Sequence, residues 1–308
     1  MRLAELDERE WRRRLARGDL VIRAGSFRYR LESRLPQIAS GVGLLYADYP
    51  VAEPGEFADF ALKMEEGAGL HRWWRRQVRF SSDGYYPFEP LPQDHAYPQL
   101  EWAMNWCVST RAHHYLMLHA AVIERNGFAA VLPAPPGSGK STLCAALVHR
   151  GWRLLSDEVA LISLDDGRIS PAVRPISLKN QSIGLMRDYV PGAVMTPVTH
   201  GTTKGSVTHL KVPAEHVARM DETAVPRWVV FPKYIAGAPT RLVARPRARS
   251  LLDLGGNSFN YMLLGLDGFE ALGRMVQACD CYEFSYSRLD EAVQAFDALA
   301  AGGEVEFG

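Results

Sequence analysis

The chain has 308 residues, 35 Lys+Arg against 35 Asp+Glu, 47% hydrophobic residues, 26 Gly and 19 Pro, a composition that fits one large globular domain or two ordinary ones. A formal net charge of zero removes the attraction to phosphate backbones and anionic lipid that a basic protein carries, so nucleic acid and membrane are not expected partners. No apolar run has the length of a membrane-spanning helix, and Met1 to Arg14 alternates acids with arginines where a signal peptide would be apolar, so the expected location is cytoplasmic.

Residues 1–97 read as a β-rich region in which short strands, over Asp19 to Leu31, Gly43 to Tyr49 and Arg76 to Phe80, are punctuated by prolines. The stretch His71 to Arg79 reads as an edge strand or helix that packs Trp73 and Trp74 inward. Residues 98–308 read as a second domain. Leu100, Met104 and Cys107 recur at helical spacing within Gln99 to His114. Tyr115 to Ile123 and Phe128 to Leu132 are apolar strands joined by the turn Arg125-Asn126-Gly127. Cys107, Cys144, Cys279 and Cys281 are too scattered for a disulfide framework and read as reduced, mostly buried thiols.

The second strand runs into Ala134-Pro135-Pro136-Gly137-Ser138-Gly139-Lys140-Ser141-Thr142, followed by an amphipathic helix from Thr142 to Arg150. A phosphate-binding loop needs small residues where backbone amides converge on an anion, a lysine for the outer phosphates and a hydroxyl for Mg²⁺. Pro136 to Thr142 supply that set, with the amides from Gly137 to Ser141 as the anion nest, Lys140 as the cation and Ser141 as the metal hydroxyl. Ala134 stands where the usual pattern has glycine, and alanine fits there at negative φ. Only six of the 35 basic residues are lysines, which makes a lysine at that position more informative.

Asp157 and Glu158 follow at the end of the apolar run Trp152 to Ser156 and precede a second run, Val159 to Leu164. One carboxylate can complete a Mg²⁺ shell while the other accepts a proton from an attacking hydroxyl, the two tasks that phosphoryl transfer adds to charge neutralisation. His119, on the strand paired with the one that feeds the loop, reads equally well as a group near the γ-phosphate and as a satisfied core histidine.

In Leu118-His119-Ala120-Ala121-Val122, Gly137 to Thr142 and Arg150 to Glu158, the chain resembles the HPr kinase/phosphorylase family, and more closely the HPr-kinase-related proteins that share its catalytic core. The resemblance covers His119 to Glu158 without gaps. It implies an α/β core related to the nucleotide domain of phosphoenolpyruvate carboxykinase, followed by C-terminal helices, with an α+β organisation of the chain overall. It also implies ATP as nucleotide, a homo-oligomer, and roles for His119 beside the transferred phosphate, Lys140 and Ser141 on ATP and Mg²⁺, and Asp157 as activator of a substrate serine. Glu158 stands where the family has a second aspartate.

Downstream, Thr202 to His209 reads as a polar loop whose Lys204 is a candidate to neutralise charge on the transferring group, with Lys179 as a second. Asn257 and Asn260 read as capping or helix-surface residues, and the remainder as scaffold, with a strand over Tyr282 to Tyr286 and a last helix over Leu289 to Leu299 capped by Gly302-Gly303. The expected activity is ATP- and Mg²⁺-dependent transfer of phosphate to a Ser/Thr hydroxyl of a protein or peptide. A metabolite kinase of the shikimate-kinase type and a nucleotide-dependent switch ATPase stay open as alternatives.

Overall fold

The computed structural model describes residues 1–67, 74–135 and 137–302. The alternation of acids and arginines near the N-terminus is the surface of a helix, α1 (Glu8–Arg17), where the sequence reading had only strands. Asp7 starts it by accepting hydrogen bonds from the amides of Arg9 and Glu10. Arg12–Glu8 and Arg14–Glu10 pair at i,i+4 spacing, while Trp11 and Leu15 turn inward.

The β segment expected over Asp19 to Leu31 is a hairpin of β1 (Leu20–Ala24) and β2 (Phe27–Ser33). Gly43 to Tyr49, expected as a strand, instead begins within α2 (Pro36–Leu45). Pro36 presets the first turn, and Ile38, Val42 and Leu45 are buried at helical spacing. The strands β3 (Phe60–Glu66), β4 (Gln77–Ser81) and β5 (Leu91–Pro92) follow. Trp73 lies outside the described residues, and Trp74 is 89% exposed, so it does not pack inward as expected. The expected helix is α3 (Ala96–Arg111); its buried Glu101 accepts hydrogen bonds from Tyr46 (2.9 Å) and Tyr97 (2.7 Å), which ties it to the end of α2.

Next come β6 (Tyr115–Arg125) and β7 (Phe128–Pro133), joined at Asn126-Gly127 as the sequence predicts. They are followed by α4 (Lys140–Val148), β8 (Arg153–Ser156), β9 (Val159–Ser163) and β10 (Ile169–Ser170). Beyond β11 (Ile176–Lys179) and α5 (Gln181–Tyr189), the expected loop Thr202 to His209 is largely a hairpin of β12 (Thr199–Thr202) and β13 (Gly205–Leu210). A polar residue here can be a buried strand residue because its partner lies elsewhere in the chain: the buried Thr208 donates to the carbonyl of Thr196 at 2.6 Å.

The chain continues through α6 (Ala214–Ala218), β14 (Val225–Tyr234), β15 (Arg241–Ala244), α7 (Arg247–Gly256), α8 (Tyr261–Leu264), α9 (Leu266–Ala278), β16 (Asp280–Tyr286) and α10 (Leu289–Ala300). Gly302 follows α10, and Gly303 lies outside the described residues.

The fold is mixed α/β and divides into two compact units that interleave along the chain. The first comprises residues 1–108, 175–183 and 192–219, and the second 109–174, 184–191 and 220–308. The division thus differs from the boundary expected at 97/98, because β11, β12 and β13 and the helix α3 up to Val108 cluster with the N-terminal residues. Among the described residues of the first unit, the sheets run β1-β2-β3-β4-β5 and β11-β13-β12. The second unit holds one sheet, ordered β10-β9-β6-β7-β14-β16-β15, with β8 also paired to β6. Its parallel pairings are β7 with β14 and β14 with β16; the other pairings are antiparallel. One face of this sheet forms a core of Leu116, Leu118, Val131, Ile162, Leu272 and Met275 with their neighbours; all four cysteines are buried, and none forms a disulfide. Among the described residues, no helix is long and apolar enough to cross a membrane.

Candidate functional site

The site in the second unit is built where three chain segments meet on β6. Along one edge of β6, β7 ends with Pro133 opposite Ala120, and the loop Ala134 to Gly139 departs from there. Along the other edge, β8 and β9 are both antiparallel to β6: Ser156 lies opposite Val122 and Val159 opposite His119. Asp157 and Glu158 therefore interrupt this ladder beside Ala120 and Ala121. Two strand spacings, about 10 Å of backbone, separate the acids from the loop's departure point.

Ser156 stabilises the interruption: its hydroxyl accepts the amides of Glu158 (3.3 Å) and Val159 (3.0 Å), so neither amide needs a β6 carbonyl. Asp157 is buried and Glu158 half-buried. Asp157 and Lys140 both act on the thiol of Cys144, which burial first, and then the Asp157 charge, push well above the ordinary thiol range while Lys140 opposes. A carboxylate from the β8–β9 turn and the loop lysine thus share one neighbourhood beside α4.

The loop's backbone has the conformation that its sequence implies. Gly137 and Gly139 have φ of 86° and 88°, and Gly139 is the N-cap of α4 with no side chain capping the helix. The first-turn amides and the positive end of the helix dipole consequently face the loop, the arrangement an anion completes. Ala134 is absent from the residues with positive φ, so alanine replaces glycine there without backbone strain. Lys140 is buried at 8% exposure, Ser141 is half-buried and Thr142 is buried; Pro136 lies outside the described residues.

Sequence reasoning missed what supports the loop from the other side. Strands β14 and β16 run parallel to β7 and end beside it. The amide of Tyr234 donates to the carbonyl of Ser138 at 2.9 Å, and the Tyr286 hydroxyl donates to that of Gly139 at 3.2 Å. A Cβ at position 139 would lie 2.6 Å from the Tyr286 oxygen and 3.0 Å from Cβ of Tyr234, so glycine is required there by space as well as by φ. Burial raises the Tyr286 phenol above its ordinary range, which keeps it neutral as a donor.

His119 alternates with the core residues Leu118 and Ala120, which turns it to the opposite face of β6, the face on which α4 packs. Its backbone is fixed by Asn257: the His119 amide donates to the Asn257 carbonyl (2.9 Å), and the Asn257 side-chain amide donates to the His119 carbonyl (2.7 Å). Asn260 does the same further along, accepting from the Met117 amide (2.9 Å) and donating to the Tyr115 carbonyl (2.8 Å). Asn257 is the C-cap of α7 and Asn260 the N-cap of α8, as the capping expectation has it, but their side chains bond the backbone of β6 and not the helix ends. They complete the β6 edge below the point where β7 ends, and no local sequence signal announces it.

Lys204 and Lys179 belong to the first unit. Lys204 occupies the β12–β13 turn with its ammonium 5.1 Å from the centre of the Trp102 ring, and Lys179 pairs with Val207 in the β11–β13 ladder. Each has a local place there.

Among the described residues, no group of three or more His, Cys, Asp or Glu could hold a metal ion by itself. The donors at hand are one hydroxyl, Ser141, and the carboxylates of Asp157 and Glu158. That set fits Mg²⁺ bound jointly with phosphate oxygens and water, since this ion keeps several such ligands and takes few from protein.

No known family model matches the chain, and no curated protein does. Among solved structures, it is similar to the HPr(Ser) kinase/phosphatase from Coxiella burnetii, at 12% identity over 61% of this chain and 99% of that one, with a TM-score of 0.28.

Proposed function

We propose that the second unit is an ATP- and Mg²⁺-dependent phosphotransferase that moves the γ-phosphate to a Ser or Thr hydroxyl of a protein or peptide. The observation that carries this reading is the meeting at Ala120 and Ala121 of β6. A glycine loop opening a helix leaves one edge, two carboxylates interrupt the other, and a histidine lies next in the strand. The nucleotide phosphates lie on the amides from Gly137 to Thr142, with Lys140 on the outer ones. Asp157 accepts the proton of the attacking hydroxyl, and His119 with Lys140 stabilises the charge of the transferring group. Ser141 and Glu158, with Asp157 at need, hold Mg²⁺, which when bound neutralises charge across the outer phosphates. The resemblance of His119 to Glu158 to HPr-kinase-related sequences supports a polypeptide acceptor over a metabolite.

The test is incubation with γ-labelled ATP, Mg²⁺ and host extract, beside Asp157→Asn. Label on a polypeptide is expected, with a loss of about 10²–10⁴-fold in the variant while ATP binding is kept. Label on a small metabolite would replace the acceptor class, and release of free phosphate alone would replace transfer by hydrolysis. An active Asp157→Asn enzyme would remove this acid as the base.

A further inference from the structure

The order of strands assigns the two ends of a bound nucleotide to opposite sides of the loop. Asp157, Glu158 and His119 all lie on the β6 side of β7, so the phosphate to be transferred points that way. The phosphates follow the loop amides, and the nucleoside must leave on the other side, where β14 and β16 end.

That side presents an aromatic ring. Tyr234, the last residue of β14, is 50% exposed, and the next residue, Ile235, is 41% exposed. The ring is held in place from three directions. Its backbone amide is bonded to Ser138, its Cβ lies against the position of Gly139, and its ring packs edge-on to Tyr286 with centroids 5.8 Å apart. An aromatic side chain that is fixed yet half open to solvent, directly beside a phosphate loop, offers a flat apolar face at low entropic cost.

We infer that the nucleobase of the bound nucleotide stacks on the exposed face of Tyr234, an inference that rests on the nucleotide reading proposed above. Stacking on a ring face discriminates little among bases, so ATP and GTP bind with similar affinity as far as Tyr234 is concerned.

The experiment is calorimetric titration of the full chain and its Tyr234 variants with Mg²⁺ and two probes, ATP and inorganic tripolyphosphate, which has the phosphates and no base. Tyr234→Ala is expected to weaken ATP binding about ten- to a hundredfold and to leave tripolyphosphate binding unchanged. Tyr234→Phe is expected to keep both, since the ring and not the hydroxyl is used. In Tyr234→Trp, ATP should change the indole fluorescence and tripolyphosphate should not, a readout that stands if the alanine variant does not fold. Unchanged ATP affinity in Tyr234→Ala would overturn the inference. Equal losses for both probes would also overturn it, showing a residue that only props the loop. Tripolyphosphate binding without ATP binding in the unmodified protein would overturn it while sparing the phosphate loop, whereas binding of neither would overturn the nucleotide reading itself.

Discussion

The two flanks of β7 do different work by different means. On the β6 flank, the chemical groups are close in sequence: His119, the loop and the acids fall within one continuous stretch, and each is delivered by a neighbouring strand. On the β14 flank, the loop is met by Tyr234 and Tyr286, which come from far along the chain and touch it through one backbone carbonyl each. The difference teaches that reactive groups can be encoded locally while the shape of the loop that serves them is encoded at long range.

Lys140 carries the charge of the loop between the flanks, so Lys140→Ala is the largest break. Turnover should fall by about 10²–10³-fold or more, measured as nucleotide consumption under saturating substrate. The β14 flank is tested by two alanine substitutions in one loop. Gly139→Ala meets both a left-handed φ and two tyrosines, and is expected to abolish nucleotide binding and cost about 2–5 kcal/mol of stability. Gly137→Ala meets only the φ, with no atom within 4 Å of the added Cβ, and should cost about 1–2 kcal/mol. Thermal melts and nucleotide titrations of the pair settle it; equal costs would mean that the tyrosines give way and do not shape the loop.

The β6 flank is tested more gently by Asn257→Ala, which removes the bond to the His119 carbonyl. A stability loss of about 0.5–1.5 kcal/mol is expected, with kcat reduced a few fold and KM kept. A change confined to KM would separate Asn257 from the positioning of His119. The smallest effect is that of alkaline pH. The Cys144 thiol is raised in the folded state, so its neutral form contributes stability in full below the unfolded thiol value, about 8.5, and that contribution is lost as pH rises above it. Urea midpoints should fall between pH 8 and pH 10, and less so in Cys144→Ala.

The contrast between flanks also explains what the sequence disclosed. The Asn126-Gly127 hairpin, the loop, the helix after it and the acids are each written in adjacent residues, and they stand where the residues put them. The asparagines that complete the β6 edge are 138 residues or more from their partners, and nothing around them distinguishes them from ordinary surface amides. In the first unit, the adjacent Leu44, Leu45 and Tyr46 of and after α2 read as a strand, and only the spacing of Ile38, Val42 and Leu45 shows the helix. The β12–β13 hairpin was hidden for the converse reason, since its buried polar groups find partners that lie outside the segment itself.

The interleaving of the two units has a consequence for how the protein comes into being. Residues 1–108 leave the ribosome before the rest of their unit, which lacks β11, β12 and β13 until residue 219 has been made. In the finished chain, His209 packs edge-on against Tyr97, and Lys211 pairs with Asp48 at 2.8 Å. Until those partners arrive, the N-terminal segment has to wait with surface uncovered while most of the phosphate-loop sheet's first strands are synthesised. Domain-by-domain folding in order of synthesis, the usual protection of a large chain, is closed to this one. A fragment cut at the start of β6 would likewise carry β11, β12 and β13 without the residues they were built to meet, so the second unit is not expected to be obtained by simple truncation.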